Sequence, residues 1–197
     1  MYLQGSLNLL QQWERWRGRN VVPARHDIKP LDVKTLLRDM FILDIDADAH
    51  VNFRLAGTRL CSAFGRELRS TAFATLWQRI DQPVMLNKLG RVITDREADA
   101  LDVVGVTGTG REVAYEIAFF PLLREGETHH VLGLATPKAL PYWFASELLL
   151  GFRSLSARTP KPDFLDVRER VSRGRLPPMH INARQVGHLT VYDGGKS

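Results

Sequence analysis

A long alternating segment, residues 111–122, limits most strongly what this chain can fold into. Successive side chains of a β-strand point to opposite faces of its sheet, so a period of two predicts a strand. One set of side chains is large and apolar, and the other contains two small alanines: Val113, Tyr115, Ile117 and Phe119 against Ala114, Glu116, Ala118 and Phe120. The pattern predicts a strand whose second face leaves room for a closely packed helix.

The N-terminal segment, residues 3–17, is the obvious candidate for that helix. Its leucines and tryptophans recur at helical spacing and give it a wide apolar face that carries Trp13 and Trp16. Gly18 is predicted to end it. Exposing two tryptophans to water is costly, so this face is expected to cover something. Packing on the helix's own domain is slightly favoured, and packing on a second subunit, with Trp13 and Trp16 as the interaction surface, stays open.

Shorter apolar segments predict the remaining strands and helices. Strands are expected at 41–45, 51–55, 100–106 and 131–136, and helices after Pro30, after Gly57, at 71–77, from Pro83 to 96 and at 143–152. The resulting order is two strands, several short helices, a longer helix and three strands. The first two strands are predicted to pair as a hairpin, and the loop at residues 107–110 has the composition of a hairpin turn.

The junction at residues 53–71 is expected to form a corner of this domain, because the hydrophobic period changes there from two to about 3.6. Gly57 and Gly65 are interpreted as turns that let the helices fold over the sheet. Corners of this kind often border pockets in small domains. The corner offers no nucleophile and no phosphate-binding loop, so it predicts where a pocket lies rather than a reaction.

The excess positive charge lies toward the C-terminus. The chain has 197 residues and a formal net charge of +5, and residues 141–197 hold nine Lys and Arg against five Asp and Glu. The change in pattern predicts three parts: an N-terminal amphipathic helix at 1–20, a globular domain at 21–140 and a partly extended appendage at 141–197. A basic tail can meet nucleic acid, an anionic lipid surface or an acidic protein, and charge alone does not choose among them.

The location of the protein is predicted from what its sequence lacks. No apolar run approaches the ~20 residues that a transmembrane helix needs. The first sixteen residues also lack the basic-then-apolar order of a secretory signal. We therefore expect a cytoplasmic protein without a transmembrane segment.

The sequence motifs do not assemble a catalytic or metal site. Cys61 lies in an apolar helical pattern without a neighbouring base, so it is interpreted as a small buried hydrophobe. Residues 44–48 begin like a calcium loop but are not followed by the required glycine and glutamate, which favours a solvated hairpin turn. The adjacent His129 and His130 point to opposite faces of a strand and do not easily share a metal. We expect no catalytic residue and no metal ligand.

Three sequence segments resemble a known family. WERWRG, VPARHDIKPLDVKTLLRDMFILDID and FRLAGTRLCSAFGRELRSTAFATLW are similar to the PAS-domain superfamily, and in particular to a bacterial PAS-like family formerly catalogued as a domain of unknown function. Members of that family are often standalone proteins. The resemblance covers roughly residues 7–140. Ser70 departs from it slightly, because the family often has glycine at this position.

The resemblance implies a fold and a class of function. The fold would be α+β: a five-stranded antiparallel sheet with helices on one face, an N-terminal amphipathic helix and an extended basic C-terminal tail. The protein would be a non-enzymatic bacterial sensory or regulatory protein that acts in signal transduction. Small-molecule binding, self-association and contact with a signalling protein are the expected activities. The resemblance identifies no cofactor, because the residue settings typical of haem and flavin PAS domains are not recognisable here.

A ligand pocket is expected between the helices and the central sheet, as in PAS domains generally. Its candidate lining residues are Phe53, Leu60, Phe64, Trp77, Met85, Leu89, Tyr115, Ile117 and Phe119. The alternative that most of them simply fill the core stays open. A second hypothesis is an adaptor whose basic tail docks an acidic protein or, less favoured, nucleic acid.

Overall fold

The computed structural model describes residues 3–123, 125, 129–144, 146–155, 183–186 and 189–192, the last two segments by backbone alone. Its helices and strands, in chain order, are α1 (Gln4–Arg17), β1 (Met40–Ile45), β2 (Val51–Ala56), α2 (Thr58–Phe64), α3 (Gln82–Asp95), β3 (Asp99–Thr107), β4 (Glu112–Pro121), β5 (His129–Pro137), β6 (Leu149–Ser154), β7 (Ala183–Val186) and β8 (Leu189–Tyr192). Short 3-10 helices occupy Arg25–Asp27, Pro30–Val33 and Phe73–Leu76.

Strands β1 to β6 form one antiparallel sheet in the order β2-β1-β5-β4-β3-β6. The alternating segment becomes β4, which lies between β3 and β5 and is paired on both sides. Because both of its backbone edges are paired and both of its faces are covered, nearly all of its residues are buried. The strand predicted from the alternation is confirmed.

The sheet has one strand more than predicted. Leu149–Ser154, which lies in the segment interpreted as a helix, is instead β6, and it pairs with the outer edge of β3. The prediction of a five-stranded sheet and of a helix at 143–152 was therefore wrong. An apolar run of this length fits either structure by periodicity. The run forms a strand because the open edge of β3 supplies partners for its backbone N–H and C=O groups.

Two apolar clusters lie on opposite faces of the sheet. Helices α2 and α3 and the 3-10 helix Phe73–Leu76 cover one face and enclose the larger cluster. Helix α1 covers the other face, where Leu9, Leu10 and Trp13 pack in a second cluster with Ala118 of β4. The prediction that the N-terminal helix covers the small-residue face is confirmed.

Helix α1 is attached to β4 near both of its ends. At its start, the Leu3 backbone N–H donates to Glu116 Oε1 at 3.0 Å. Near its end, Trp13 Nε1 donates to the Pro121 carbonyl oxygen at 2.9 Å, and the indole is completely buried. Trp16 is only partly buried, and its Nε1 donates to Asp32 at 3.1 Å. Trp13 therefore packs on the helix's own domain, the first of the two alternatives for the apolar face.

The corner glycines are required for two different reasons. Gly65 ends α2 in the left-handed region with φ of 62°, and the Leu148 side chain lies where its Cβ would be. Gly57 has an ordinary φ of −70°. It is needed because a Cβ there would overlap the backbone of residues 37–38. Both turns occur as predicted, but close backbone approach rather than backbone conformation explains Gly57.

Most of the predicted C-terminal appendage, residues 141–197, lies outside the described part of the chain, which leaves out residues 145, 156–182, 187–188 and 193–197. Strands β7 and β8 pair with each other in a separate antiparallel sheet of two strands. Within the described residues, no helix combines the length and the apolar character that crossing a membrane requires.

Candidate ligand site between the sheet and helices α2 and α3

The predicted pocket residues all lie in the larger apolar cluster. They come from separate elements. The period of two in β2 and β4 and the helical period of α2 and α3 turn most of these side chains toward the same space. Each of them is 7% exposed or less: Phe53, Leu60, Phe64, Trp77, Met85, Leu89, Tyr115, Ile117 and Phe119. The structure therefore brings the full set together, in well-packed surroundings.

Further aromatic residues complete this cluster and were missed by the sequence analysis. Phe73 contacts Trp77 and Phe119, with ring centroids 5.6 and 6.1 Å apart. Phe41 of β1 contacts Phe53 at 5.7 Å. The alternation within β1 could have identified Phe41. Phe152 of β6 was missed because its segment was interpreted as a helix.

Two polar atoms interrupt the apolar interior. Within the described part of the chain, neither the Tyr115 hydroxyl nor Trp77 Nε1 has a hydrogen-bond partner. Tyr115 is 1% exposed and Trp77 4% exposed. Buried tyrosine and tryptophan normally find a partner, and leaving such a group unpaired costs about 1–3 kcal/mol. A bound molecule or ordered water that supplies partners would recover this cost.

The Tyr115 hydroxyl is held in its neutral form. Burial raises its pKa, the negative charge of Asp39 raises it further, and Arg59 opposes both effects. The protonated hydroxyl can donate one hydrogen bond and accept others, and the Trp77 indole can only donate. The interior therefore presents two donors and one acceptor to anything bound there.

A buried ion pair lies near Tyr115. Asp39 directly precedes β1 and is 4% exposed, and its Oδ2 accepts from Arg59 of α2 at 3.0 Å. Burial raises the pKa of Asp39, and the positive charges of Arg59 and Arg38 act against this rise. The sequence offered no means of finding this pair, because Asp39 and Arg59 are twenty positions apart and meet only after α2 folds over the sheet.

Cys61 lies on α2 and is partly buried against the same cluster. Burial raises the pKa of its thiol, which keeps the sulfur protonated and weakly nucleophilic. The interpretation of Cys61 as a small hydrophobe holds for its packing. Full burial, which was also expected, is not observed.

The predicted hairpin turn between β1 and β2 forms, with the Asp46 backbone N–H donating to the His50 carbonyl oxygen at 3.2 Å. It brings ligand-type atoms of Asp46, Asp48 and His50 within 4.8 Å of one another. All three side chains are exposed, and His50 already pairs with Asp46 at 3.2 Å. Exposed acidic turns of this kind are common, and we assign no metal to it.

A second buried titratable group, also missed from sequence, lies on the α1 face. His130 of β5 is 3% exposed, and its Nδ1 is 2.8 Å from Asp44 of β1. Glu125 lies 3.6 Å from the other ring nitrogen and also pairs with Arg25 at 3.2 Å. These contacts tie the segment after α1 to the sheet, and they lie on the face opposite the candidate site.

Comparison with known proteins supports one family. A family model described as a PAS domain matches residues 1–136 of the chain. A search of curated proteins found no significant match.

Solved PAS structures resemble the chain only distantly. The PAS domain of an HTR-like protein from Haloarcula marismortui is 16% identical, with 53% of this chain and 88% of that chain covered and a TM-score of 0.38. A PAS domain from Colwellia psychrerythraea is 11% identical, covers 55% of this chain and 97% of that one, and has a TM-score of 0.40. These scores are too low to support a functional argument, so the family assignment rests on the sequence match.

Proposed function

The chain belongs to the PAS domain family, whose members act in sensing and regulation, and we propose that it is a non-enzymatic bacterial signalling protein of the cytoplasm. In this proposal it binds a small molecule between the sheet and helices α2 and α3. Binding changes how α1 packs, and α1 then communicates with a second copy of the chain or with a signalling protein. PAS domains often mediate contacts of both kinds.

One observation carries the ligand site: the Tyr115 hydroxyl and Trp77 Nε1 are buried in the apolar interior without partners among the described residues. An interior that served only as a core would be more stable with phenylalanine at position 115, because the hydroxyl loses its hydrogen bonds to water on folding. A ligand with one acceptor and one donor would compensate both groups. This makes the pair a candidate recognition element rather than a packing element.

Coupling to α1 is supported by the two faces of β4. Tyr115 and Glu116 are consecutive, so their side chains point to opposite faces of the sheet. Tyr115 faces the candidate site, and Glu116 accepts the hydrogen bond that holds the start of α1. A small shift of β4 on ligand binding therefore changes the geometry of the α1 attachment. Helix α1 is the proposed two-state element, and the ligand acts by favouring one of its positions.

Self-association follows from the same step. Trp13, on the face of α1 that packs on the sheet, is completely buried. Displacement of the helix would expose its indole together with Ala118 and Phe120 of β4. An apolar surface of this kind needs a new partner in water. The adaptor alternative depends on the basic tail, most of which lies outside the described residues, and no described contact favours it.

Native mass spectrometry of the full chain, purified from its own host, tests the ligand site. The wild type is expected to carry a bound small molecule. Tyr115→Phe is expected to lower its affinity about three- to tenfold, the equivalent of one hydrogen bond. The matched control is Tyr142→Phe, because Tyr142 is 91% exposed and the change leaves occupancy as in the wild type.

Stability measurements separate recognition from a folding defect. In ligand-free protein, Tyr115→Phe is expected to leave stability unchanged or raise it by about 1 kcal/mol, since it removes an unpaired buried hydroxyl. Lower occupancy together with equal or higher stability supports the site. A wild type that carries no molecule, or a Tyr115→Phe variant with undiminished occupancy, contradicts the proposal.

A further inference from the structure

Strand β6 lies outside the part of the chain that matches the family model, which ends at residue 136. It extends the sheet at the edge of β3, with Cα partners running from Val103↔Ser154 to Thr107↔Leu149. The strand therefore contributes residues to the interior that are absent from the matched domain. One of these residues reaches the candidate ligand site.

The Phe152 ring of β6 lies among the proposed ligand-binding side chains. Its centroid is 5.1 Å from Tyr115, 5.2 Å from Phe64 and 5.5 Å from Trp77. The ring is 1% exposed. Two of its three aromatic neighbours are the residues whose polar atoms have no hydrogen-bond partner within the described ranges. A phenylalanine cannot satisfy either atom, because its ring has no hydrogen-bonding group.

Strand β6 is less firmly held than the central strand β4, which carries Tyr115 and Phe119 and is paired on both sides. It has one sheet neighbour, β3, and its register with β3 shifts between Val106 and Thr107. On its other side, the Gln78 backbone N–H donates to the Phe152 carbonyl oxygen at 3.0 Å. An edge strand, whose backbone is paired with the sheet on one side only, opens at a lower free energy than a central strand does. Phe152 is therefore easier to withdraw than Phe119 of β4.

We propose that Phe152 is a displaceable occupant of the interior site, and that a small planar aromatic ligand bearing a hydroxyl group takes its place when β6 moves outward. The inference rests on the proposed ligand site. The planar shape of the ligand follows from the surrounding rings, which meet the Phe152 ring mainly edge to face. The hydroxyl group of the ligand follows from the two unpaired polar atoms, because it can accept a hydrogen bond from Trp77 Nε1 and donate one to the Tyr115 oxygen.

Phenol and toluene, which have nearly the same size, test this inference with the full-length Phe152→Ala variant. Removal of the ring opens space beside the Tyr115 and Trp77 side chains, so phenol is expected to bind the variant at least about tenfold more tightly than the wild type, by titration calorimetry. An apolar cavity favours toluene over phenol, because phenol loses hydrogen bonds to water on entry. Phenol is expected to bind this variant more tightly than toluene does.

The control is Phe120→Ala, which removes an equally buried ring on the opposite face of the sheet, beside Trp13. Its cavity is expected to favour toluene over phenol. If Phe152→Ala does not fold, Phe152→Leu removes the flat ring with a smaller loss of volume, and the same preference for phenol is expected. Equal phenol binding by wild type and variant, or a preference for toluene in the Phe152 variants, overturns the inference.

Hydrogen exchange in the wild type separates this inference from the proposed function. Saturating phenol is expected to speed amide exchange in β6 relative to β5. A molecule that co-purifies with the wild type yet leaves exchange in β6 unchanged overturns the role of Phe152 and leaves the proposed ligand site intact. Phenol selectivity of Phe152→Ala, in a protein that carries no molecule from its host, supports the displaceable site and contradicts the proposed signalling function.

Discussion

Replacing Trp13 with alanine tests whether α1 is held on its own sheet. The indole is 0% exposed, its Nε1 donates to the Pro121 carbonyl oxygen at 2.9 Å, and its ring lies 6.4 Å from that of Phe120. All of these partners belong to the same chain. The substitution therefore removes apolar burial, a ring contact and a hydrogen bond together.

The expected cost can be worked from these contacts. A buried tryptophan removes about 150–250 Å² from water, which at ~25 cal/mol per Å² corresponds to about 4–6 kcal/mol. The lost hydrogen bond adds about 1 kcal/mol. Alanine keeps part of the buried area, and the unfolded chain already buries some of it, which lowers the sum, so we expect a loss of about 4–5 kcal/mol. Since a domain of this size is stable by about 5–15 kcal/mol, the variant should fold but unfold at much lower urea concentration.

The assay is urea unfolding followed by circular dichroism, with light scattering to measure the oligomeric state. Trp16→Ala is the matched control. Its indole is partly buried and its hydrogen bond to Asp32 is exposed, so the expected loss is about 1 kcal/mol or less. Trp13→Phe, which retains a ring but loses the hydrogen bond, should fall between the two.

The reasoning fails if Trp13→Ala costs no more than Trp16→Ala. It also fails if Trp13→Ala dissociates an oligomer while the stability of the subunit is unchanged. That second result would place the apolar face of α1 against another copy of the chain. A large loss of stability for Trp13→Ala alone supports intrachain packing, and with it the proposal that α1 must move before Trp13 becomes available to a partner.

Three further predictions concern two glycines, a serine and an aspartate. Gly133→Ala should destabilise the protein by about 1–3 kcal/mol in urea unfolding, because its Cβ would overlap the Phe41 ring. Gly90→Ala in α3 places its Cβ in open space and should stabilise the protein by about 0.5–1 kcal/mol. Ser70 has φ of 62°, so Ser70→Gly should raise stability by about 0.5 kcal/mol while Ser70→Ala does not. Because burial raises the pKa of Asp39 above 3.8, the folded state binds its proton more tightly, and wild-type stability should fall relative to Asp39→Asn as pH rises from that value. Thermal melts across this pH range check the last prediction, and a difference independent of pH would contradict it.

Much of the fold could be predicted from local periodicity. The alternation of β4, the helical spacing of α1 and the glycine turns at 57 and 65 each depend on neighbours in sequence, and each prediction is confirmed. The error at β6 has the opposite origin. Whether Leu149–Ser154 forms a strand depends on the edge of β3, more than forty positions earlier in the chain, and no local pattern records that edge.

The same distinction applies to the candidate site. Periodicity was enough to select Tyr115, Ile117 and Phe119 as neighbours on one face of the sheet. It did not reveal that the Tyr115 hydroxyl is unpartnered within the described part of the chain, since the hydrogen-bond state of a buried group depends on every element packed around it. The Asp39–Arg59 pair was missed for the same reason.

By itself, the sequence determined which residues are strand or helix over most of the described chain, which face of each is apolar, and which family the chain resembles. Those properties follow from the spacing of side chains along the backbone. Only the tertiary structure decided that α1 lies across β4 on the face opposite the candidate site, and that Phe152 packs against both Tyr115 and Trp77. The physical reason is that contacts between distant segments depend on which sheet edges and apolar faces remain to be paired once the local elements have formed.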